Sequence, residues 1–348
     1  MKLNLPRTIE WINGKVRLIN QLLLPHELKY IETKDWRRVA EAIRKMEIRG
    51  APAIGVAAAF SLALFVQGLT TVDIGEAKEK LYKAAEYVKE TRPTAVNLFW
   101  AIKRVLKAAE KAVSVSDLKE IVIEEALKIW REDEETNRRI GEIGERLIPD
   151  GGTVITICNA GSLATSYYGT ATAPIYTSHL KGKDVKVIAM ETRPYLQGAR
   201  LTAWELKQAG IPVKIITDNS IGIVLMKERV DVALVGADRI TRKGYVANKI
   251  GTYPLALVCN ELKIPFYVVA PTSTIDLSIE TGDQIVIEQR DPEEVLKIFG
   301  HRIAPEGVDA IYYAFDITPP KLINGIVTEA RILEKPFEKS ISQLLTSH

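Results

Sequence analysis

Two textures of hydrophobic patterning divide the chain. Up to about residue 146 the apolar positions recur at helical spacing. Residues 35–46 place Trp36, Val39, Ala40, Ile43 and Met46 on one face, which predicts an amphipathic helix. Residues 51–66 are apolar on every side and predict a buried helix, opened by Pro52 in its first turn, where the missing N–H costs nothing. Further helices are predicted over about 74–90, from 95 onward, and over 116–146. In the last of these the charged run 131–139 reads as a solvated face with i,i+4 pairs. Only residues 9–31 break the pattern, as short extended pieces around an Asn13-Gly14 hairpin turn.

From Gly151 the texture changes. β-branched and apolar runs of four to six residues alternate with helical segments, the mark of a parallel sheet with crossover helices. Strands are predicted at 153–157, 185–190, 213–216, 232–235, 266–270 and 285–288, with helices at 196–209 and 252–262. The expected fold class is therefore α/β: a mainly helical N-terminal domain with short strands (1–146), then a Rossmann-like domain (147–348) with a parallel sheet of about six strands. A length of 348 residues suits two domains, on a prior of about 100–200 residues each.

Composition narrows the function classes. Charged residues make up 26% and the net charge is +3, too balanced for a nucleic-acid footprint. Two cysteines cannot build a disulfide framework, and no Cys/His spacing suggests a metal site. The N-terminal stretch lacks a signal peptide's apolar core, and the apolar run 51–66 falls short of a roughly 20-residue span. A soluble, cytoplasmic protein with no membrane partner is expected.

In a doubly wound sheet the residues after each strand share one rim, and they can be read as a set. Here that rim holds Cys158-Asn159-Ala160-Gly161, Glu191-Thr192-Arg193-Pro194 leading to Gln197, Asp218-Asn219-Ser220, Gly236-Ala237-Asp238-Arg239, then Asn248-Lys249. No G-x-G-x-x-G follows a strand and no G-x-x-x-x-G-K-[ST] is present, so neither a dinucleotide nor ATP hydrolysis is indicated. With only four histidines and no Ser/His pairing, a hydrolytic triad is not supported. What remains is proton transfer on a small phosphorylated substrate. Asp238, after an apolar strand, is expected at a partly buried edge, where desolvation suits it to acid–base work; the alternative is an N-cap or a partner for Arg239. Cys158 at a helix N-terminus would lean toward thiolate, or else be a small buried hydrophobe. Cys259 reads as core. Arg49 and Arg92 each precede an apolar helix, where an arginine and free N–H groups favour a phosphate, with a salt bridge the alternative.

The motifs IRGAPAIG (48–55), RPTAVNL (92–98), CNAGSLAT (158–165), ETRPYLQGARLTAWEL (191–206), TDNSIG (217–222), GADRI (236–240), ANKIGTY (247–253) and FDITPPKLI (315–323) together resemble the methylthioribose-1-phosphate isomerases. These sit within a larger family that includes ribose-1,5-bisphosphate isomerases and regulatory subunits of translation initiation factor 2B. The resemblance spans nearly the whole chain. It implies an aldose–ketose isomerase of methionine salvage that needs no metal or organic cofactor, acts on a phosphorylated pentose and forms a homodimer. It also implies Cys158 and Asp238 as catalytic residues, and substrate contacts at Arg49, Gly50, Ala51, Arg92, Gln197, Asn248 and Lys249. One departure is visible: Ile157 stands where these isomerases often carry histidine.

Overall fold

A computed structural model describes residues 3–93, 95–287 and 289–346. Two compact units emerge, and neither is one continuous stretch. A helical unit comprises Pro6–Thr136 with Ser162–Gly169; a sheet unit comprises Asn137–Gly161, the described residues from Thr170 onward, and residues 3–5.

The helical unit begins with strands β1 (Ile9–Ile12), β2 (Lys15–Ile19) and β3 (Tyr30–Thr33), an antiparallel meander. Asn13 and Gly14, both at positive φ, make the predicted turn between the first two. Helices α1 (Trp36–Arg44), α2 (Ala51–Gln67), α3 (Ile74–Lys89) and α4 (Val96–Ala109) follow, then α5 (Val115–Gly144), whose residues from Asn137 onward are counted in the sheet unit. Asp35 and Asp73 cap α1 and α3 by accepting the N–H groups of Arg37 and Glu76. The all-apolar α2 is the axis of this core: Phe60 packs between Trp11 and Trp130, ring centroids 5.5 and 6.2 Å away. Gly55 of α2 lies against the Asn97 carbonyl, so the first turns of α2 and α4 meet.

The sheet unit carries β4 (Thr153–Thr156), α6 (Ala173–Leu180), β5 (Lys186–Met190), α7 (Ala203–Gln208), β6 (Val213–Ile216), α8 (Ile221–Lys227) and β7 (Val232–Val235). Next come β8 (Arg239–Thr241), β9 (Val246–Lys249), α9 (Thr252–Glu261), β10 (Phe266–Val269) and β11 (Ile275–Asp276). The chain ends with α10 (Glu293–Leu296), the hairpin β12 (Lys297–Ile298) and β13 (His301–Arg302), then β14 (Phe315–Thr318), β15 (Gly325–Val327), β16 (Ile332–Leu333) and α11 (Phe337–Thr346).

The main sheet has the order β16-β15-β10-β7-β4-β5-β6. All its pairings are parallel except that of the edge strand β16. The chain starts at the centre, winds outward through β5 and β6, returns to β7 on the other side and winds outward again. The α/β reading, with six parallel strands, is borne out. The order reverses between β4 and β7, and in such sheets ligands bind in the crevice at that reversal. A smaller mixed sheet, β11-β8-β9-β14, is built from the excursions after β7 and β10.

One strand is corrected. Residues 285–287 are not in the sheet, and Glu288 lies outside the described residues. Val286 is 93% exposed, so its β-branched character finds no neighbouring strand to pack on. The sixth parallel strand is instead β15, whose three residues Gly-Ile-Val pair with Tyr267, Val268 and Val269. The helix expected at 196–209 also differs: a π-helical turn, Gly198–Thr202, precedes α7.

This assignment predicts opposite sensitivities. Val286→Ser should move the urea unfolding free energy by less than about 0.5 kcal/mol. Ile326→Ala, in the fully buried middle of β15, should cost about 2–4 kcal/mol.

Candidate active site

The ends of β4 and β5 carry three non-glycine residues at left-handed φ: Cys158 (62°), Thr192 (66°) and Leu196 (58°). Such backbone is costly for L-residues and persists only where surroundings enforce it. At Cys158 the enforcing contacts are two threonine hydroxyls. Its N–H donates to Thr192 Oγ1 at 2.8 Å, and its carbonyl accepts from Thr202 Oγ1 at 2.6 Å. Thr192 is fixed in turn: its N–H and that of Arg193 donate to the two carboxylate oxygens of Asp218, at 2.8 and 2.6 Å. The turns after β4, β5 and β6 thus form one hydrogen-bonded rim, with Cys158 buried at 8% exposure.

Asp238 follows β7, across the reversal from Cys158. The two strand ends approach closely, since a Cβ on Gly236 would lie 2.6 Å from the Ala160 methyl, an approach only glycine allows. The Asp238 N–H donates to the Ala247 carbonyl at 2.9 Å, which starts the β8–β9 pairing. The expected partial burial of Asp238 is not found: the residue is exposed. Gly236 and Ala237 carry the chain clear of the apolar strand before the carboxyl appears, so the strand's burial does not extend to it.

Asn248 and Lys249 close β9 in the smaller sheet. Both are buried. Asn248 Nδ2 donates to Thr252 Oγ1 at 3.0 Å, and Lys249 Nζ to the Ala314 carbonyl at 3.0 Å, with the ammonium 4.6 Å from the Phe315 ring centroid. The neighbouring Gly251 lies against Ile157 at the end of β4, which brings this turn to the same rim. Gln197 is 6% exposed, and its Oε1 has no hydrogen-bond partner. A buried carbonyl oxygen left this way loses its hydration without compensation. Cys158, Gln197, Asp238, Asn248 and Lys249 are therefore gathered on the carboxyl edge of one unit.

Arg49, Gly50, Ala51 and Arg92 belong to the helical unit. Gly50 caps α2 at φ 94°, and its missing Cβ leaves room for Ala164, whose Cα would otherwise be 2.4 Å away. Ala51 opens α2. Arg49 and Arg92 are both half-buried and precede the two helix starts that meet at Gly55 and Asn97. Neither Gly50 nor Ala95, the residues ahead of α2 and α4, makes a side-chain cap, so the adjoining N–H groups suit an anion. Thr94, between Arg92 and α4, lies outside the described residues.

Several supporting residues carried no role in the sequence reading: Thr192, Thr202, Asp218 and Asp316. The last comes from β14 and accepts the N–H groups of Gly251 and Tyr253, at 2.7 and 3.0 Å, pinning the turn from β9 into α9. Burial pushes its carboxyl up to about 6, against the pull of those amides and of Lys249. Among the described residues no cluster of three or more His, Cys, Asp or Glu side chains could hold a metal, and no helix is long and apolar enough to cross a membrane.

The doubly wound α/β unit carries a thiol, a carboxyl and buried amides at the reversal of its strand order, the place where such sheets bind ligands. The model of the initiation factor 2 subunit family matches residues 47–335, and the chain belongs to that family. It is similar to the methylthioribose-1-phosphate isomerase of Acetivibrio thermocellus, 49% identical over 339 residues that cover 97% of this chain and 99% of the relative. The 5-deoxyribose 1-phosphate isomerase of Moorella thermoacetica is 51% identical over 339 residues, 97% of each chain. The crystal structure of 5-methylthioribose 1-phosphate isomerase from Pyrococcus horikoshii OT3 superposes with a TM-score of 0.94 at 45% identity, covering 99% of this chain and 97% of that one.

Asp316 generates a prediction with a definite sign. Its folded-state value of about 6 lies above the unfolded value of about 3.9. The stability it lends is therefore complete below about pH 4 and is lost as pH rises through about 6. Asp316→Asn removes this titration. In urea unfolding, the stability of the native protein relative to the variant should fall between pH 4 and 6.5; a relative rise would contradict the assignment.

Proposed function

We propose that the protein is an aldose–ketose isomerase that converts S-methyl-5-thio-α-D-ribose 1-phosphate into S-methyl-5-thio-D-ribulose 1-phosphate, a step of methionine salvage. The observation that carries this reading is the position of Cys158 and Asp238, following the two strands β4 and β7 that flank the sheet's reversal. High identity to isomerases of sugar 1-phosphates over nearly the full length supports it.

The substrate's chemistry assigns the roles. Phosphate on the C1 oxygen locks the furanose, so no free aldehyde exists until the bond between C1 and the ring oxygen breaks. Asp238 is the acid that protonates the ring oxygen as that bond opens. The hydrogen on C2 then moves to C1 while the 2-hydroxyl returns its proton to the Asp238 carboxylate left by ring opening and becomes the ketone. Cys158 serves as the base in an enediol route or as a polarising group in a hydride shift; both routes balance with the same residues. Arg49, Gly50, Ala51 and Arg92 are the proposed anion-holding groups. Gln197, Asn248 and Lys249 are proposed to hold the sugar, with Gln197 Oε1 as an open acceptor for a hydroxyl.

A second substrate is favoured by a specific observation. The Moorella relative is named for 5-deoxyribose 1-phosphate, which differs only in lacking the methylthio group. Ribose 1,5-bisphosphate would need a further cation at the C5 end, and the rim arginines not already assigned are engaged, Arg193 by the Pro194 and Val295 carbonyls and Arg239 by Asp276. A purely regulatory subunit has no use for a thiol and a carboxyl placed together.

Incubation with each of the three sugar phosphates and detection of the ketose decides among these. Methylthioribose 1-phosphate should give the highest kcat/KM and the bisphosphate the lowest; no ketose from the first would sink the proposal. Cys158→Ser and Asp238→Asn should each lower kcat by about 10²-fold or more with thermal midpoints near that of the native protein. Near-full activity in either would remove its assigned role.

A further inference from the structure

Behind the cysteine turn lies a carboxylate to which the reaction assigns no step. Glu205, in α7, has no solvent exposure. Its Oε1 accepts from the Tyr176 hydroxyl at 2.9 Å, and its Oε2 accepts from Asn159 Nδ2 at 3.3 Å. The carboxylate occupies the space that Gly161 leaves empty: a Cβ there would fall 1.5 Å from Oε1. Both Asn159 and Gly161 belong to the turn that presents Cys158. Burying a carboxylate is expensive, and an apolar side chain of similar volume would serve a merely structural core better.

The geometry of the π-helical turn explains how Glu205 comes to this place. Thr202 closes that turn and stands three residues before Glu205, so the two side chains share a helix face. Thr202 Oγ1 donates to the Cys158 carbonyl and accepts from Asn159 Nδ2 at 3.2 Å. One helix end thus grips the turn on both sides of its asparagine. We infer that Glu205 is a positioning residue of the reaction: through Asn159, and by filling the space beside Gly161, it holds the turn in the left-handed conformation that aims the Cys158 thiol. The inference rests on the isomerase reading for its rate measurement, and a thiol measurement tests it independently.

Thiol labelling is selective in this chain. Cys259, the other cysteine, is fully buried, and burial pushes its thiol up to about 12, so alkylation of the folded protein by iodoacetamide reports on Cys158. Glu205→Gln keeps the volume but replaces one acceptor oxygen with a donor. It should lower kcat by about tenfold to a hundredfold, leave KM within about threefold because binding groups are untouched, and speed Cys158 alkylation by about threefold or more as the turn loosens. Tyr176→Phe deletes one hydrogen bond to Glu205 at a distance from the thiol, and it carries the test if the first variant does not fold. It should produce the same pattern at smaller size, about twofold to fivefold in kcat. Native labelling kinetics in the folded variants overturn the inference, as does a kcat loss that merely tracks the folded fraction. If the native enzyme turned over none of the sugar phosphates, the isomerase reading would fail, and the labelling comparison would still decide the role of Glu205.

Discussion

The backbone of Cys158 is the constraint on which the candidate site depends. A left-handed conformation at a residue with a side chain is unfavourable by itself, and here it is enforced from both neighbouring peptide groups. Thr192 takes the N–H and Thr202 supplies a proton to the carbonyl. Thr192 is held by Asp218, so the ends of β4, β5 and β6 are tied into one piece. The outcome is a thiol set at the central reversal of the sheet by Thr192 and Thr202 of the crossover after β5, braced in turn by Asp218 of the crossover after β6. Strain of this kind is stored where a side chain must be aimed.

Much of this was legible in the chain. The strands 213–216 and 232–235 match their observed bounds because short, mostly apolar runs between turns, VKII and VALV, with Val or Ile at five of their eight positions, have few other uses. The rim followed from the strand ends, and Cys158, Gln197 and Asn248 fall on it. Where the reading failed, a tertiary effect overrode a local one. The run at 285–288 has strand propensity but no neighbour to pair with, whereas Gly325–Val327 is too short to signal a strand and exists because Tyr267 to Val269 offer it a partner. Asp238 was expected to inherit the burial of β7, and two small residues intervene. Glu205 looks like an ordinary surface acid in a short helix; only the empty space at Gly161, far away in sequence, turns it inward. The π-helical turn that aims it leaves no trace in hydrophobic periodicity.

The helical unit solves a different problem with the same economy of parts. Its axis, α2, is apolar all round but for Ser61, which donates to the Trp36 carbonyl, and Gln67 at its last position, which donates to the Gly14 carbonyl. All its capacity for ligand chemistry is concentrated at the N-terminal end. There Arg49 precedes an uncapped helix start, and the start of α4, preceded by Arg92, packs beside it. A helix buried this completely can present its dipole and free N–H groups only at its ends, which is where the basic residues stand.

The division of the chain into units has a consequence for how the protein can be cut. Residues Ser162–Gly169, directly downstream of the cysteine turn, pack within the helical unit: Thr8 Oγ1 donates to the Ser162 carbonyl, Gln21 Nε2 donates to the Leu163 carbonyl, and Ala164 fills the space at Gly50. A fragment ending at Thr136 would lose all three contacts and leave two buried donors unsatisfied. A fragment beginning at Asn137 would carry the missing segment with nothing to pack it against. No single scission yields an intact half, so this architecture cannot be shuffled, truncated or fused at an internal junction as modular proteins are; the chain is indivisible although its structure is not.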